Sequence, residues 1–281
     1  MSPTDVAQVL NQALPYIQKF RGQTFVVKYG GSAMREPERM ANVVRNVLLL
    51  HVVGIRIVLV HGGGPEIDSL VGRLGLEKRT LDGLRVTDDA TMEAVEMALL
   101  RANQGLVAEI LRQGGSAVGL SGRDGGLMRG EPISEALGRA GRVTSINTAP
   151  LTYAQDSGVI PVVCTIAGDA EFQPLNINAD MAAAAVAKAM TARKLILMTD
   201  TNGVLSNADD GQSTISELSC ADAETLISNG KATRGMIPKL ESAVDALRGG
   251  VNAVHLINGS SPHSLLIEIF TDSGIGTMMR P

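Results

Sequence analysis

The chain has 281 residues, of which 44% are apolar, 19% are charged and 2% are aromatic, and its formal net charge is −4. A chain of this length can bury a large core and lies near the size at which one core divides into two. The acidic balance and the scarcity of aromatic side chains exclude the basic, base-stacking surfaces that are typical of nucleic-acid binding.

Neither export nor membrane insertion is expected from the sequence. The first residues lack the basic and apolar regions of a signal peptide, and the most apolar segment, residues 48–60, is interrupted by polar residues and a glycine. Cys164 and Cys220 lie far apart, and the four histidines have no metal-ligand spacing. This pattern predicts reduced thiols in a cytoplasmic protein and no metal held by a cage of side chains.

Residues 3–20 are predicted to form a helix that lies outside the main pattern of strands. Ser2 can cap it, Pro3 suits its first turn, and Pro15 is expected to kink it. Its apolar stripe needs a covering surface. That surface could belong to the same chain or to a second subunit, and the sequence leaves both open.

Two short apolar strands are each followed by glycines. The first ends in Lys28 before Gly30 and Gly31, and the second precedes the three glycines of residues 62–64 and a predicted helix. Unobstructed N–H groups at the start of a helix favour the binding of an anion. Burying the charge of a lysine at the end of a strand costs free energy unless an anion pairs with it. The alternatives are tight turns that need glycine for their backbone angles and a lysine that reaches solvent.

Polar residues at two later points could hold a ligand. Arg85 precedes a predicted helix over about residues 89–113, for which Thr87 is the predicted cap, and a guanidinium is a natural partner for a carboxylate. A single arginine is more often part of a surface ion pair. Asn176 and Asp180 precede an alanine-rich helix, where the carboxylate could complement the helix dipole or orient a lysine.

Strands and helices alternate along the rest of the chain. Residues 123–146 are predicted to form loops or a hairpin, and residues 277–279 an edge strand. The alternation predicts an α/β fold, a three-layer αβα sandwich with a central, mainly parallel sheet. We expect an N-terminal lobe over residues 1–190 and a C-terminal lobe over residues 191–281.

The chemistry suggested by these residues is phosphoryl transfer to a carboxylic acid. Parallel strands bring both glycine loops to one edge of the sheet. Neither loop has the spacing of a P-loop or of a dinucleotide fold. Lys28, Lys239 and Arg85 could offset the repulsion between two anions, and Asp180 could orient a lysine. A carboxylate nucleophile is already ionised, so no general base is needed.

Seven motifs in order resemble the N-acetylglutamate kinases of the amino-acid kinase superfamily, in particular the arginine-inhibited hexameric type. They are VVKYGG (26–31), VLVHGGGPEI (58–67), LRVTD (84–88), NINAD (176–180), LMTDTNGVL (197–205), GMIPK (235–239) and EIFTDSGIGTM (268–278). The resemblance covers essentially the whole chain. VVKYGG and HGGG alone indicate only the superfamily, whereas LRVTD followed by NINAD points to the acetylglutamate group.

The resemblance implies ATP-dependent phosphorylation of the side-chain carboxylate of N-acetyl-L-glutamate, the second step of arginine biosynthesis. It implies that Lys28 and Lys239 hold the transferring phosphoryl group and that Asp180 positions both lysines. The backbone N–H donors that it implies are those of Gly31, Gly63 and Gly64. Substrate binding is assigned to Gly63, Gly64, Arg85 and Asn176.

The same resemblance implies a nucleotide site for Mg·ATP, with the metal held mainly by phosphates and water. The residues expected to bind the nucleotide are Lys28, Gly30, Gly31, Asp200, Gly203, Val204, Leu205, Gly235, Met236 and Lys239. For an arginine effector, the expected contacts are His255, Glu268 and Gly274. The N-terminal helix is expected to join dimers into a hexamer, and control by a PII protein is a further expectation that the sequence does not decide.

The sequence departs from the family pattern at three places. Residues 99–103 lack a glycine, residues 123–146 look trimmed, and Arg234 stands where many members have glycine. These departures affect the expected lid over the acyl-amino-acid site and details of the expected nucleotide contacts, but not the two lysines. The alternatives are a kinase for another small acid, such as an aminoadipate derivative or carbamate, the kinase-like part of an acetylglutamate synthase, and an inactive arginine- or PII-responsive regulatory module.

Overall fold

The structure is a computed structural model. It describes residues 2–30, 34, 36–207, 210–211, 213–233 and 235–281. The expectations for Gly31 and Arg234 lie outside the described residues.

Helices and strands alternate through the described residues. The helices are α1 (Pro3–Phe20), α2 (Pro37–Val52), α3 (Gly64–Arg73), α4 (Asp89–Arg112), α5 (Ala149–Asp156), α6 (Ala179–Ala189), α7 (Cys220–Ser228), α8 (Ile237–Arg248) and α9 (Ser264–Phe270). The strands are β1 (Thr24–Tyr29), β2 (Arg56–His61), β3 (Thr80–Leu81), β4 (Leu84–Arg85), β5 (Ala117–Ser121), β6 (Met128–Pro132), β7 (Ala140–Ile146), β8 (Ile160–Cys164), β9 (Ile166–Gly168), β10 (Pro174–Ile177), β11 (Lys194–Thr199), β12 (Glu217–Ser219), β13 (Val254–Asn258) and β14 (Thr277–Arg280).

The main sheet contains eight strands of the described chain in the order β12-β14-β13-β11-β1-β2-β8-β5. Neighbouring strands are parallel except for β13 and β14, which confirms the predicted mainly parallel sheet. The prediction that residues 277–279 form an edge strand is wrong. β14 lies between β12 and β13, and the unpredicted strand β12 forms that edge.

Helices cover both faces of this sheet because its central strands are apolar on both sides. Along β2, Val58 and Val60 pack in the core that contains residues of α6 and α8. The alternate residues Ile57 and Leu59 pack in the core that contains residues of α2 and α4. A strand buried on both faces reads as a continuous apolar run, which is the pattern seen in the sequence.

A small closed barrel of β6, β7, β9 and β10 lies beside the sheet. Its β6–β7 hairpin is formed from the segment predicted as loops or a hairpin. Gly138, at φ +59°, lies so close to Thr87 that a Cβ would be 2.4 Å from the Thr87 carbonyl oxygen. Arg139 N also donates to that oxygen, at 2.6 Å. The barrel therefore fixes the loop that follows Arg85.

Thr87 was expected to cap α4, and this prediction is wrong. The cap is Asp88, whose Oδ1 accepts a hydrogen bond from Thr91 N at 2.9 Å. Thr87 is fully buried, and its hydroxyl donates to the carbonyl of Arg85 at 2.9 Å. Its hydroxyl is therefore engaged with the preceding loop rather than with the helix.

α1 has the predicted extent and the predicted Ser2 cap. Phe20, at its end, packs edge-on against Phe25 with the ring centroids 5.3 Å apart, so the chain's own core covers this end. Val9, Leu10 and Leu14 are exposed. A search of the described residues finds no helix with the length and apolar character needed to cross a membrane. The division into two lobes stays a prediction.

Candidate active site

A cleft of about 260 Å³ lies at the carboxyl edge of the main sheet. It collects the ends of β1, β2 and β10 together with the starts of α3 and α6. Most of the residues assigned to catalysis and substrate binding line it. They are Lys28, Gly63, Gly64, Arg85, Asn176 and Asp180, and Gly30 of the predicted nucleotide site lines the cleft with them.

Asp180 lies between two lysines. Its Oδ1 is 2.9 Å from Lys28 Nζ, and its Oδ2 accepts a hydrogen bond from Lys239 Nζ at 2.7 Å. Lys28 comes from β1, Asp180 from the first turn of α6 and Lys239 from the first turn of α8. The side chains of Lys28 and Asp180 are 9% and 6% exposed, so the carboxylate bridges two ammonium groups out of contact with bulk water.

Burial and charge act against each other in this cluster. Burial lowers the pKa of Lys28, and the second lysine adds to that effect, while Asp180 partly opposes it. For Asp180, burial alone would raise the pKa. The two lysines together outweigh burial, so the pKa of Asp180 lies below its ordinary value. With both lysines protonated, the three side chains carry one net positive charge at the cleft.

Asp180 is held in place by the cap of its own helix. The side-chain oxygen of Asn178 accepts hydrogen bonds from the backbone N–H groups of Asp180 at 2.8 Å and Met181 at 3.3 Å. This is the ordinary geometry of an asparagine N-cap. The cap sets the direction of the first turn, and the carboxylate faces the two lysines as a result.

Glycine is needed after β2 because neighbouring side chains leave little room for a Cβ, and the same residues offer backbone N–H groups. A Cβ on Gly62 would lie 3.1 Å from the Cβ of Ala179, and a Cβ on Gly63 would lie 2.7 Å from Leu99 Cδ2. Gly62 N donates to Tyr29 O at 3.2 Å, which joins the two loops. Gly63 is the N-cap of α3, and in the part of the chain that the structure describes no side-chain capping hydrogen bond is made there, so this helix end remains suited to an anion.

Arg85 is anchored on one side and has a free donor on the other. Its Nη2 pairs with Asp68 of α3, which also binds Lys78 at 2.8 Å. In the described part of the chain, Arg85 Nη1 is buried and has no hydrogen-bond partner. A buried donor without an acceptor is costly, and a ligand carboxylate in the cleft would satisfy it.

Asn176 lies across the cleft at the end of β10. Its Nδ2 donates to the hydroxyl of Thr87 at 3.1 Å. The loop after Arg85 and the β10 end are therefore tied together, and both line the same cleft.

A second, smaller pocket of about 90 Å³ contains part of the predicted nucleotide site. It brings together Gly203, Val204, Leu205 and Met236 from that prediction. It also contains Thr201, Ala232 and Thr233, which lie in the two segments where the nucleotide was expected, residues 200–205 and 232–239. Leu226 and Lys231 line it too, and the sequence reasoning did not single them out.

Other residues of the predicted nucleotide site lie outside this pocket. Gly235 lies just before Met236, the N-cap of α8, and is not among the residues that line the pocket. Asp200 follows β11, and its charge acts to raise the pKa of Lys28. The carboxylate of Asp200 is therefore close enough to Lys28 for the two charges to interact.

The three predicted effector residues also come together. His255 Nδ1 is 2.5 Å from Glu268 Oε1, and His255 Nε2 is 2.7 Å from Lys194 Nζ. The other oxygen of Glu268 accepts from Ile275 N at 2.8 Å and from Gly276 N at 3.2 Å. An ammonium group only donates, so Nε2 accepts from Lys194, and Nδ1–H donates to Glu268.

Gly274 and the end of α1 lie against this second cluster. A Cβ on Gly274 would lie 2.9 Å from Glu268 Oε2, and the residue has φ +60°, so glycine fits here on both grounds. Lys194 Nζ lies 5.3 Å from the centre of the Phe20 ring at the end of α1. Lys194 and Phe20 were not predicted, because neither stands in a recognisable motif.

The ionisation of the second cluster is shifted by burial and by its internal bonds. Burial lowers the pKa of Lys194 to about 8 and is the main cause of the lowered pKa of His255. Burial would raise the pKa of Glu268, but His255 and the two backbone donors outweigh it and bring that pKa to about 2.

The chain was compared with known proteins. The model of the amino acid kinase family matches residues 23–258. The acetylglutamate kinase of Thermosynechococcus vestitus is 48% identical over 281 residues, covering 99% of this chain and 95% of that protein. That of Acaryochloris marina is 49% identical over 278 residues, with 98% of each chain covered. The chain therefore belongs to the amino acid kinase family and, within it, to the acetylglutamate kinases.

Solved structures share the fold. N-acetylglutamate synthase from Neisseria gonorrhoeae, complexed with coenzyme A and N-acetyl-glutamate, has a TM-score of 0.87 and 28% identity. The match covers 98% of this chain but only 63% of the synthase. The same synthase complexed with coenzyme A and L-arginine has a TM-score of 0.84 and 27% identity, with 65% of that chain covered.

Proposed function

We propose that the chain is a kinase that transfers the γ-phosphoryl group of ATP to the side-chain carboxylate of N-acetyl-L-glutamate. The product is N-acetyl-L-glutamyl 5-phosphate, the second intermediate of arginine biosynthesis. The observation that carries this proposal is the buried array of Lys28, Asp180 and Lys239 beside the glycine loop of α3. The high identity to acetylglutamate kinases along the whole chain supports the same substrate.

The reaction needs charge stabilisation rather than proton transfer. A carboxylate oxygen forms a bond to the γ-phosphorus while the bond from that phosphorus to the β–γ bridging oxygen breaks and ADP leaves. Lys28 and Lys239 approach from different elements and can neutralise the equatorial oxygens between them. Asp180 keeps both ammonium groups charged and aimed, and the N–H groups of Gly63 and Gly64 offer further donors.

The acid is proposed to lie between Arg85 and the glycine loop. The unpaired Nη1 of Arg85 would donate a hydrogen bond to the α-carboxylate, while Asn176 contributes a polar contact. The apolar wall of the cleft, which includes Leu84, Leu99 and Ile177, suits the methylene groups and the acetyl methyl.

Mg²⁺ is proposed to enter as part of the Mg·ATP substrate. Among the described residues that line the cleft, Asp180 is the one acidic side chain, and both its oxygens face lysines. A search of the described residues finds no group of three or more histidine, cysteine, aspartate or glutamate side chains that could hold a metal ion. The fit favours a metal held by phosphate oxygens and water. The adenine is assigned to the pocket of Gly203, Val204 and Met236.

Regulation by arginine and assembly into a hexamer are part of the proposal. His255, Glu268 and Gly274 form the proposed effector site, and a synthase of the same fold is known in complex with L-arginine. The exposed apolar residues Leu10 and Leu14 of α1 are what a hexamer contact through that helix requires. Control by a PII protein and a cytoplasmic location complete the proposal. Both cysteines are free, as expected in a reducing compartment.

Hydroxamate trapping tests the reaction and the acid together. Hydroxylamine intercepts an acyl phosphate, so we expect a signal with Mg·ATP and N-acetyl-L-glutamate and none with glutamate or acetylaspartate. A signal with an aminoadipate derivative instead would retain the mechanism and change the substrate. No signal with any acid, despite binding of ATP, would contradict the proposed activity and favour a regulatory module.

A further inference from the structure

The glycine loop is held from behind by a buried histidine. His61 is the last residue of β2 and is fully buried, and its Nδ1 lies 2.8 Å from the carbonyl oxygen of Gly62. Its Nε2 lies 3.0 Å from Nδ2 of Asn103, a buried residue of α4. Asn103 Nδ2 also donates to the carbonyl of Val162 in β8, at 2.9 Å.

These contacts determine which ring nitrogen carries the proton. The Val162 carbonyl can only accept, so the atom of Asn103 that faces it and His61 is the NH₂ group. The second N–H of that group points to His61 Nε2, which must therefore be an acceptor. The proton of a neutral ring is then on Nδ1, where it donates to the carbonyl of Gly62.

That donor fixes the peptide between Gly62 and Gly63. In a trans peptide the C=O and the following N–H point in opposite directions. Because the Gly62 carbonyl is turned toward His61, the N–H of Gly63 is turned away from it. Gly63 lines the cleft.

We propose that His61 and Asn103 are positioning residues for phosphoryl transfer, which keep the N–H of Gly63 aimed at the transferring group. The inference rests on the proposed kinase function. Neither residue touches the substrate, and both act through the orientation of one peptide.

The surroundings are built to keep this arrangement. Burial lowers the pKa of His61 to about 4, so the ring is neutral at physiological pH. The neighbouring titratable group across β8 is Cys164, whose pKa burial raises to about 12, so it remains a neutral thiol. A Cβ on Gly119 would lie 2.0 Å from Asn103 Oδ1. The position of the Asn103 side chain therefore requires a glycine at this point of β5.

Kinetics of two nearly isosteric variants test the role. Asn103→Leu removes the donor to His61, and we expect kcat to fall about tenfold with the KM values of both substrates changed less than threefold. The matched control is Gln155→Leu, which removes another buried amide donor to a β2 carbonyl, that of Ile57, away from the cleft. Equal losses of kcat in the two variants, or a loss confined to KM, would overturn the proposal.

A pH profile separates positioning from mere stability. In Asn103→Asp the new carboxylate accepts from Nε2, so a neutral ring moves its proton there and loses its bond to Gly62. An imidazolium ring carries a proton on each nitrogen, so it can donate both to the new carboxylate and to the carbonyl of Gly62. We expect kcat of this variant, relative to that of the parent enzyme, to recover as the pH falls, and parallel profiles would contradict the assignment.

The tautomer can be observed without any assay of activity. With ¹⁵N-labelled histidine, the His61 signal, assigned from the His61→Gln variant, should show a protonated Nδ1 and an unprotonated Nε2 at pH 7.5. It should not titrate above about pH 5. A protonated Nε2 would overturn the inference. Because this measurement needs no substrate, it stands even if the trapping experiment rejects the proposed kinase function.

Discussion

Two buried arrays of charged groups lie at opposite ends of the strands of the same sheet, and one carries an excess charge whereas the other does not. At the carboxyl edge, Asp180 lies between Lys28 and Lys239 and leaves an excess positive charge beside an open cleft. At the amino edge, where Lys194 is in register with Phe25, the array of Lys194, His255 and Glu268 is charge-balanced.

The difference shows what makes a buried charge reactive. Both carboxylate oxygens of Glu268 accept hydrogen bonds from groups of the same chain, one from His255 and the other from two backbone N–H groups. This array is therefore complete without a ligand. Among the described residues, the ion pairs of Lys28 and Lys239 are both made with the one carboxylate of Asp180, so the three side chains keep an excess positive charge. A phosphoryl group can balance that charge, whereas any effector at the amino edge must compete with bonds already made.

The largest effect is expected from removing the excess positive charge. Lys239→Ala should lower kcat by at least 100-fold and change the KM for the acid far less, because the lysine acts on charge that develops in the transition state. The control is Lys188→Ala, which removes a partly exposed lysine paired with Asp245. A Lys239→Ala enzyme with normal kcat and a raised KM would contradict this account of the array.

A smaller effect is expected at the substrate side of the cleft. Arg85→Ala should raise the KM for N-acetyl-L-glutamate by about 10- to 100-fold, which is the loss expected for a charge-assisted hydrogen bond. Arg79→Ala is a matched control, since Arg79 forms an exposed ion pair with Asp88 close by. A change in the KM for ATP alone would show that the acid lies elsewhere.

The balanced array should appear in the pH dependence of stability. The pKa of Glu268 falls from an ordinary value of 4.5 to about 2 on folding, so its stabilisation is present above pH 4.5 and is lost as the pH falls toward 2. Glu268→Gln should therefore cost up to about 3 kcal/mol at neutral pH and flatten the acid slope of unfolding free energy. Glu131→Gln, at an exposed pair with Arg142, is the control. Identical acid slopes in the two variants would refute the prediction.

The smallest effect is expected for an ion pair in water. Lys188→Ala removes a pair with Asp245 in which the lysine is 33% and the aspartate 60% exposed. Such pairs contribute about 0.2–1 kcal/mol, so denaturant titration should show a shift within that range. A loss above about 2 kcal/mol would mean that exposure does not separate weak from strong pairs in this protein.

The sequence predicted the charged residues of the carboxyl-edge array better than the residues that hold the site in position. Lys28, Asp180 and Lys239 stand in short motifs next to strand ends, where the parallel sheet brings them together. Asp68 and Asn103 occupy ordinary helical positions, and their partners are 17 and 42 residues away. No local periodicity marks such a pair, because the contact exists only after the helices have packed on the sheet.

At the amino edge the prediction was less complete for the same reason. His255 and Glu268 were found through a motif resemblance, whereas Lys194 opens a strand that reads as an apolar run. The incorrect cap at Thr87 shows a further limit. A threonine before a helix is a good local signal for an N-cap. Thr87 is buried, however, and its hydroxyl donates to the carbonyl of Arg85 instead of capping the helix.

The insertion of β14 between β12 and β13 has a consequence for synthesis on the ribosome. Thr277 Oγ accepts a hydrogen bond from Val204 N at 2.8 Å and donates to Ile215 O at 2.6 Å. Val204 lines the proposed adenine pocket, and β12 pairs with β14 at the sheet edge. During translation, this pocket stays unfinished until residue 277 has emerged, long after both glycine loops can form. Nascent chains should therefore gain nucleotide binding late and nearly all at once.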